Sequence, residues 1–107
     1  MFGSILRSVI TGPAVSDAAV VVIAPDVLGS ELGTEIVMLN LRDATYYGLD
    51  DVGADVWRLI QEPITIARIV ASLVGTYDVD SQRCRADILN LVATLRERGL
   101  VEVRDGE

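Results

Sequence analysis

The fold is decided by residues 35–60, which read EIVMLNLRDATYYGLDDVGADVWRLI. The first part contains two strand-like runs, residues 35–41 and 45–49, and a short polar turn separates them, a pattern typical of a β-hairpin. Successive side chains of a strand point to opposite faces, so Tyr46 and Tyr47 should lie on opposite faces of the second strand. We therefore predict a hairpin that leaves one tyrosine accessible to solvent.

Three helices are predicted after the hairpin, because apolar residues recur there at helical spacing behind residues that cap helices. The third helix is the longest and carries its main apolar stripe on Ile88, Leu91, Val92 and Leu95. The predicted caps are Asp50 or Asp51, Thr65, and Asp80 or Ser81, and the predicted helix stops are Pro63, Gly75 and Gly99.

The segments outside the hairpin and helices complete the predicted fold. The Val/Ile run at residues 18–24 predicts a buried strand, and residues 26–34 predict a loop because Gly and Ser recur there. Three strands followed by three helices indicate an α+β fold, a winged helix-turn-helix with a three-stranded antiparallel sheet, over residues 18–104. In residues 1–17 the apolar residues follow neither the two-residue repeat of a strand nor the 3.6-residue repeat of a helix, so we predict a flexible N-terminal arm. Residues 100–103 are predicted to add a short terminal strand.

Composition excludes several classes of function. The chain has 107 residues, half of them apolar, with nine basic and sixteen acidic residues and a formal charge of −7. Nucleic-acid binding needs clustered Lys and Arg, so this balance argues against a DNA or RNA partner. No segment has the length of a membrane span or the pattern of a signal peptide, and we expect a cytoplasmic protein.

Catalytic, metal and cofactor sites are not predicted. The chain contains no histidine and a single cysteine, Cys84, so the usual general base and a zinc ligand set are both missing. The carboxylate pairs Asp50-Asp51 and Asp78/Asp80 precede predicted helices, where capping explains them. The glycines near Gly29 do not form a phosphate-binding loop.

The remaining candidate is a binding surface on the sheet. An uncovered sheet edge is a template for another extended chain, and the strand at residues 45–49 is the best candidate for such an edge. Tyr46 would then supply a side-chain contact, together with the apolar surface of the third helix. The alternative is that Tyr46 and Tyr47 are ordinary amphipathic strand residues.

A family resemblance supports the binding interpretation. The chain resembles the PqqD-like family, the recognition elements of ribosomally synthesised and post-translationally modified peptides (RiPPs), from about Val20 to Val103. The most specific part is Tyr-Tyr-x-Leu at residues 46–49 followed by Val-Gly-x-x-Val-Trp at residues 52–57. Further matching segments are residues 39–41, 58–60, 69–73 and 77–80, Ile88, Leu91, Leu95 and residues 99–101.

The resemblance implies a function and a site. Members of this family bind the leader region of a precursor peptide as an added strand beside the third strand of the sheet, in a cleft closed by the third helix. The matching helix here is residues 83–98. The implied peptide-binding residues are Thr45, Tyr46, Tyr47, Gly48, Leu49, Asp50, Arg85, Ile88, Leu89 and Val92, with Ile88 equally compatible with the core.

The resemblance also implies partners. A separate chain of this length looks most like the leader-binding protein of lasso-peptide pathways, which delivers its precursor to a leader peptidase and a cyclase. This chain has Leu49-Asp50 where the family usually has Leu-Asn, and the added carboxylate favours a basic leader. Three alternatives stay open: a peptide chaperone of another RiPP or quinone-cofactor pathway, a homodimer formed by strand pairing or domain swapping, and a winged-helix DNA-binding protein.

Overall fold

The structure is a computed structural model and describes residues 16–49 and 51–104. The described residues form six strands and three helices, and the longest helix lies near the end of the chain. The elements are β1 (Val20–Ile23), β2 (Val27–Leu32), β3 (Glu35–Asn40), β4 (Thr45–Leu49), α1 (Asp51–Leu59), β5 (Ile64–Thr65), α2 (Ile66–Thr76), α3 (Ser81–Glu97) and β6 (Val101–Arg104).

The described strands form two separate three-stranded sheets. The first has the order β5-β1-β6, with β1 in the centre and antiparallel to both neighbours. The second is an antiparallel meander in the order β2-β3-β4. Its register places Leu28, Leu39 and Tyr46 directly opposite one another across the three strands. The fold is therefore α+β, as predicted.

The predicted single sheet of three strands is wrong, because six strands are present in the described residues. The main error is β2, which the glycine and serine residues of segment 26–34 had indicated as a loop. Gly29 pairs with Met38 within this strand, and glycine is required there because a Cβ would overlap the ring of Trp57 in α1. Strand β6 confirms the predicted short terminal strand at residues 100–103, one residue further along, whereas β5 was not predicted. Both strands pair with β1, which lies far away in the sequence. The winged helix-turn-helix label stays a prediction.

The predicted helix boundaries are largely confirmed. The backbone N–H of Arg68 donates to Thr65 Oγ1 at 3.2 Å, and that of Arg83 donates to Asp80 Oδ2 at 2.9 Å, so both residues cap helices. Gly99 has a φ of 75°, which suits a residue that ends a helix. Asp50, one of two candidate caps for α1, lies outside the described residues.

The core lies between the second sheet and the three helices. Ile36 and Met38 of β3 are fully buried on the inner face of that sheet. They join one hydrophobic cluster with residues of all three helices, among them Val56, Ile69 and Ile88. The cluster fixes the second sheet against the helices, which leaves the opposite face of the sheet and its margins as exposed surface. No helix in the described part has the length and hydrophobicity of a membrane span.

The predicted N-terminal arm falls mostly outside the described residues, which include only Ser16 and Asp17 of it. The Asp17 carbonyl accepts a hydrogen bond from the backbone N–H of Ala67 at 3.0 Å. Its carboxylate pairs with Arg85 of α3 at 2.6 Å. The chain therefore enters the described domain beside the ends of α2 and α3.

Candidate peptide-binding edge

Strand β4 is an edge of the second sheet. It pairs with β3 on one side, and no other described strand pairs with it on the other side. Thr45, Tyr46 and Gly48 are exposed, Tyr47 is half-buried and Leu49 is buried. Tyr46 is 70% exposed, which confirms the prediction that one tyrosine of this strand is accessible. An edge of this kind presents backbone N–H and C=O groups to an added strand.

The turn before β4 is held by several hydrogen bonds. The backbone N–H of Ala44 donates to the Asn40 carbonyl at 2.8 Å. The backbone N–H and the hydroxyl of Thr45 both donate to Asp43 Oδ1, at 3.2 and 2.8 Å. Asn40 is 3% exposed, and its side-chain amide donates to the carbonyls of Arg98 and Gly99, each at 3.4 Å. The edge strand is thus tied to the end of α3 before any peptide arrives.

Arg98 lies beside the edge strand and was not among the predicted site residues. Its guanidinium carbon is 4.9 Å from the centroid of the Tyr47 ring, a cation–π contact. Arg98 is exposed, and none of the salt bridges formed within the described residues includes it. In the sequence Arg98 is one of several charged residues at a helix end, and only its contact with Tyr47 of β4 distinguishes it.

The predicted residues of α3 do not all lie near β4. Ile88 and Val92 are 0% and 1% exposed and belong to the core, so a peptide cannot reach their side chains in this conformation. Leu89 is half-buried and Arg85 is exposed. Arg85 is paired with Asp17 and lies about 140° around the helix axis from Arg98, at 100° per residue. A peptide-binding role for these four residues stays a prediction.

A tyrosine–carboxylate pair connects α1 to the segment between α2 and α3. The hydroxyl of Tyr77 donates a hydrogen bond to Asp55 Oδ2. This hydrogen bond, the burial of the ring and the negative charges of Asp55 and Asp51 raise the pKa of Tyr77 above its ordinary value. Arg58 pairs with the other Asp55 oxygen and with Glu31, both at 3.1 Å. The pair therefore helps hold α1, which follows β4 directly.

The described residues offer binding geometry rather than reactive groups. Cys84 is buried, and burial and the nearby charge of Asp87 raise the pKa of its thiol, which disfavours the reactive thiolate. Within residues 16–49 and 51–104 no cluster of His, Cys, Asp or Glu side chains has the arrangement of a metal site. The edge of β4 is the feature best suited to recognition.

Comparison with known proteins agrees with this geometry. The sequence profile of the family described as "Coenzyme PQQ synthesis protein D (PqqD)" matches residues 35–101, more than half of the chain. No curated protein matches the chain.

Two solved structures share the fold. The structure of "TbiB1 in Complex with the TbiA(beta) Leader Peptide" is 31% identical, has a TM-score of 0.73, and the match covers 76% of this chain and 94% of that one. The structure of "Lasso peptide synthetase B1 complexed with the leader peptide" is 23% identical, has a TM-score of 0.70, and the match covers 77% of this chain and 96% of that one. This chain therefore belongs to the PqqD family and is a PqqD-like RiPP recognition element, a type of protein that binds peptides and is not an enzyme.

Proposed function

We propose that this chain binds the leader region of a ribosomally synthesised precursor peptide by adding it as a strand to β4. It then delivers that peptide to the leader peptidase and cyclase of a lasso-peptide pathway. The observation that carries the proposal is the edge of β4 that no strand of the described residues covers, in a hairpin that the buried Asn40 fixes against the end of α3. Support comes from the two similar structures, each of which is a complex with a leader peptide.

Strand addition uses the alternation of side chains along β4. A peptide paired with the five residues of β4 would extend over about 17 Å, at about 3.3 Å per residue. Its side chains would alternate, some beside Tyr46 on the outer face and others beside Tyr47 and Arg98 on the inner face. Ordering a disordered leader costs roughly 2–5 kcal/mol of the interaction energy, so these side-chain contacts must exceed that cost.

Charge favours a leader that is not strongly acidic. The chain carries a formal charge of −7, and Asp51 and Asp55 lie in α1, directly after the end of β4. Beside the middle of the strand, Arg98 stacks on Tyr47 and offers its N–H groups to a carboxylate or a carbonyl. The same overall charge disfavours the DNA-binding alternative, because phosphate contacts need clustered cations.

The same edge would serve a peptide chaperone of another RiPP or quinone-cofactor pathway. The lasso assignment is preferred because one of the two similar structures is of a lasso peptide synthetase B1, and both are complexes with leader peptides. The two functions differ in the peptide that the chain binds, so measuring its affinity for precursors of both kinds distinguishes them.

The test is a backbone methylation scan of a bound leader. The probes are fluorescein-labelled peptides: the TbiA(beta) leader and, for the alternative pathway, a quinone-cofactor precursor. Fluorescence polarisation would give the dissociation constant for each peptide and for variants with a single N-methyl group at successive residues. N-methylation removes one backbone donor, so a peptide added to an edge should lose affinity at every second position.

Two outcomes would contradict the proposal. If the chain binds no lasso leader but binds a quinone-cofactor precursor, its function would be that of a peptide chaperone in the quinone-cofactor pathway. Binding with equal sensitivity at all positions, or at none, would exclude strand addition. A scrambled leader of identical composition is the matched control, because it keeps the charge and hydrophobicity of the peptide.

A further inference from the structure

The outer face of the second sheet is the face turned away from the core. The register and the alternation of side chains assign to it Leu28, Ser30 and Leu32 of β2, Glu35, Val37 and Leu39 of β3, and Tyr46 and Gly48 of β4. The inner face holds Ile36 and Met38, both fully buried. No described element packs over the outer face, since α1, α2 and α3 join the core on the inner side.

The outer face is strongly apolar. Leu28, Leu32 and Tyr46 are 57%, 59% and 70% exposed, and they account for most of the large apolar side chains that the described residues leave exposed. Leu28, Leu39 and Tyr46 form a continuous row across the three strands. Val37 and Leu39 are half-buried without being packed against the core. Contiguous apolar surface of this kind marks interaction sites on soluble proteins.

The charges around this face are mainly acidic. Glu35 is the one ionisable carboxylate on the face itself. Among the described residues that flank it in the neighbouring turns, Asp26 and Asp43 are acidic and Arg42 is basic. Two copies of a chain with a formal charge of −7 and the same acidic margin would repel each other at low salt. A partner that presents an apolar patch bordered by Lys and Arg is the complementary occupant.

We propose that the outer face docks the enzyme that processes the peptide held by β4, and that this enzyme presents an apolar patch bordered by Lys and Arg. The inference rests on the function proposed above. Tyr46 lies both on the edge strand and on the outer face, so an enzyme seated there would lie directly beside the added peptide. Alternate side chains of that peptide would project towards the same enzyme. The enzyme would thus contact the outer face of this chain and the bound peptide at the same time.

The experiment compares leader binding with leader cleavage in one set of proteins. The test variant is Leu28→Ser with Leu32→Ser, which removes apolar surface from the outer face but leaves β4 intact. Both side chains are more than half exposed, so the fold should persist, as circular dichroism and urea unfolding would check. The matched control is Val79→Ser, an apolar residue 43% exposed on the segment between α2 and α3.

The measurements are the dissociation constant for the labelled leader and the rate of its cleavage by the leader peptidase that acts on that precursor. The test variant should bind leader within twofold of the native chain but need at least tenfold more protein for half-maximal cleavage. Val79→Ser should change neither value. A second variant, Glu35→Lys, should weaken the functional association with the peptidase, and salt should weaken the association of the native chain.

The outcomes separate the two proposals. If the native chain binds no leader, the proposed function fails. If leader binding is normal and the double serine variant supports cleavage at native concentrations, the docking inference alone fails. A native dimer in sedimentation that the double variant abolishes would assign the face to a second copy. Association with the peptidase that appears only after removal of residues 1–15 would assign it to that segment, and either result would overturn the inference.

Discussion

The side-chain amide of Asn40 donates a hydrogen bond to the carbonyl oxygen of Gly99, 3.4 Å away and 59 positions later in the chain. Asn40 is the last residue of β3, and Gly99 follows the end of α3. A second bond from the same amide reaches the Arg98 carbonyl, and Asn40 Oδ1 accepts from the backbone N–H of Arg42 at 3.0 Å. One buried side chain therefore fixes the hairpin of β4 relative to α3.

Replacing Asn40 with alanine should destabilise the fold by about 1–3 kcal/mol, because two carbonyls and one N–H lose partners in a largely buried site. The free energy of unfolding in urea measures the loss. The matched control is Asn90→Ala in α3, because no described hydrogen bond involves the Asn90 side chain, and that change should stay within about 0.5 kcal/mol. Equal effects of the two substitutions would show that the Asn40 bonds contribute little.

Replacing Ala44 with glycine should stabilise the chain. Ala44 has a φ of 59° in the turn before β4, a left-handed conformation that costs an L-residue roughly 1–2 kcal/mol. Glycine removes that cost but is more flexible when unfolded, so we expect a net gain of about 0.5–1 kcal/mol. Ala71→Gly, at an exposed position of α2, should instead cost about 1 kcal/mol. A loss at both positions would contradict the strained turn.

The hairpin and the helices could be predicted from the sequence, because residues close together in the chain determine them. Residues 35–49 carry both strands and the turn within one short window, and Thr65 and Asp80 cap helices by contacts with residues three positions away. The missing strands depend on distant partners. Strand β5 is two residues long and forms against β1, and Gly29 in β2 is explained only by Trp57 in another element.

The site was predicted in part for the same reason. The edge strand and the exposure of Tyr46 follow from the alternation of side chains along one strand. The stripe that contains Ile88 and Val92 shows that α3 is amphipathic, but a stripe does not tell whether its partner is the protein's own core or a bound peptide. Arg98 lies beside Tyr47 because hydrogen bonds from Asn40 hold the end of α3 next to the hairpin, and the spacing of residues in the sequence does not reveal these distant contacts.

Tyr77→Phe should lower stability at neutral pH by about 1 kcal/mol, the typical net contribution of one hydrogen bond. The raised pKa of Tyr77 means that the folded chain favours the neutral phenol. The associated stabilisation is therefore complete below the ordinary pKa of about 10 and is lost as the pH rises through the higher pKa of the folded state.

Urea unfolding at pH 8 and pH 11 measures this effect. The difference in unfolding free energy between the native chain and Tyr77→Phe should shrink at the higher pH. Tyr46→Phe is the control, because the exposed Tyr46 hydroxyl donates to no described residue and its removal should leave both values unchanged. A difference that stays constant between the two pH values would contradict a stabilising role of the neutral phenol.

Tyr46→Ala should weaken leader binding about 5- to 20-fold, which corresponds to about 1–2 kcal/mol. The ring is largely exposed on the edge strand, so the free energy of unfolding should change by only about 0.5 kcal/mol. Fluorescence polarisation with the labelled leader measures the affinity. Val79→Ala, an exposed apolar residue away from β4, serves as the control. Native affinity in Tyr46→Ala would remove this tyrosine from the peptide contact.

Substitution of two arginines, Arg98 and Arg85, tests which side of α3 contacts the peptide. Arg98→Ala should raise the leader dissociation constant about 3- to 10-fold, because its guanidinium stacks on Tyr47 beside the edge strand and offers donors there. Arg85→Ala removes the same side chain from the opposite side, where Arg85 pairs with Asp17, and should leave the constant within twofold. The labelled leader and polarisation assay apply to both variants, with urea unfolding as the check on folding. If Arg85→Ala weakens binding as much as Arg98→Ala, the peptide extends to the side of the helix that carries Arg85, which the family resemblance implies is a peptide-binding residue.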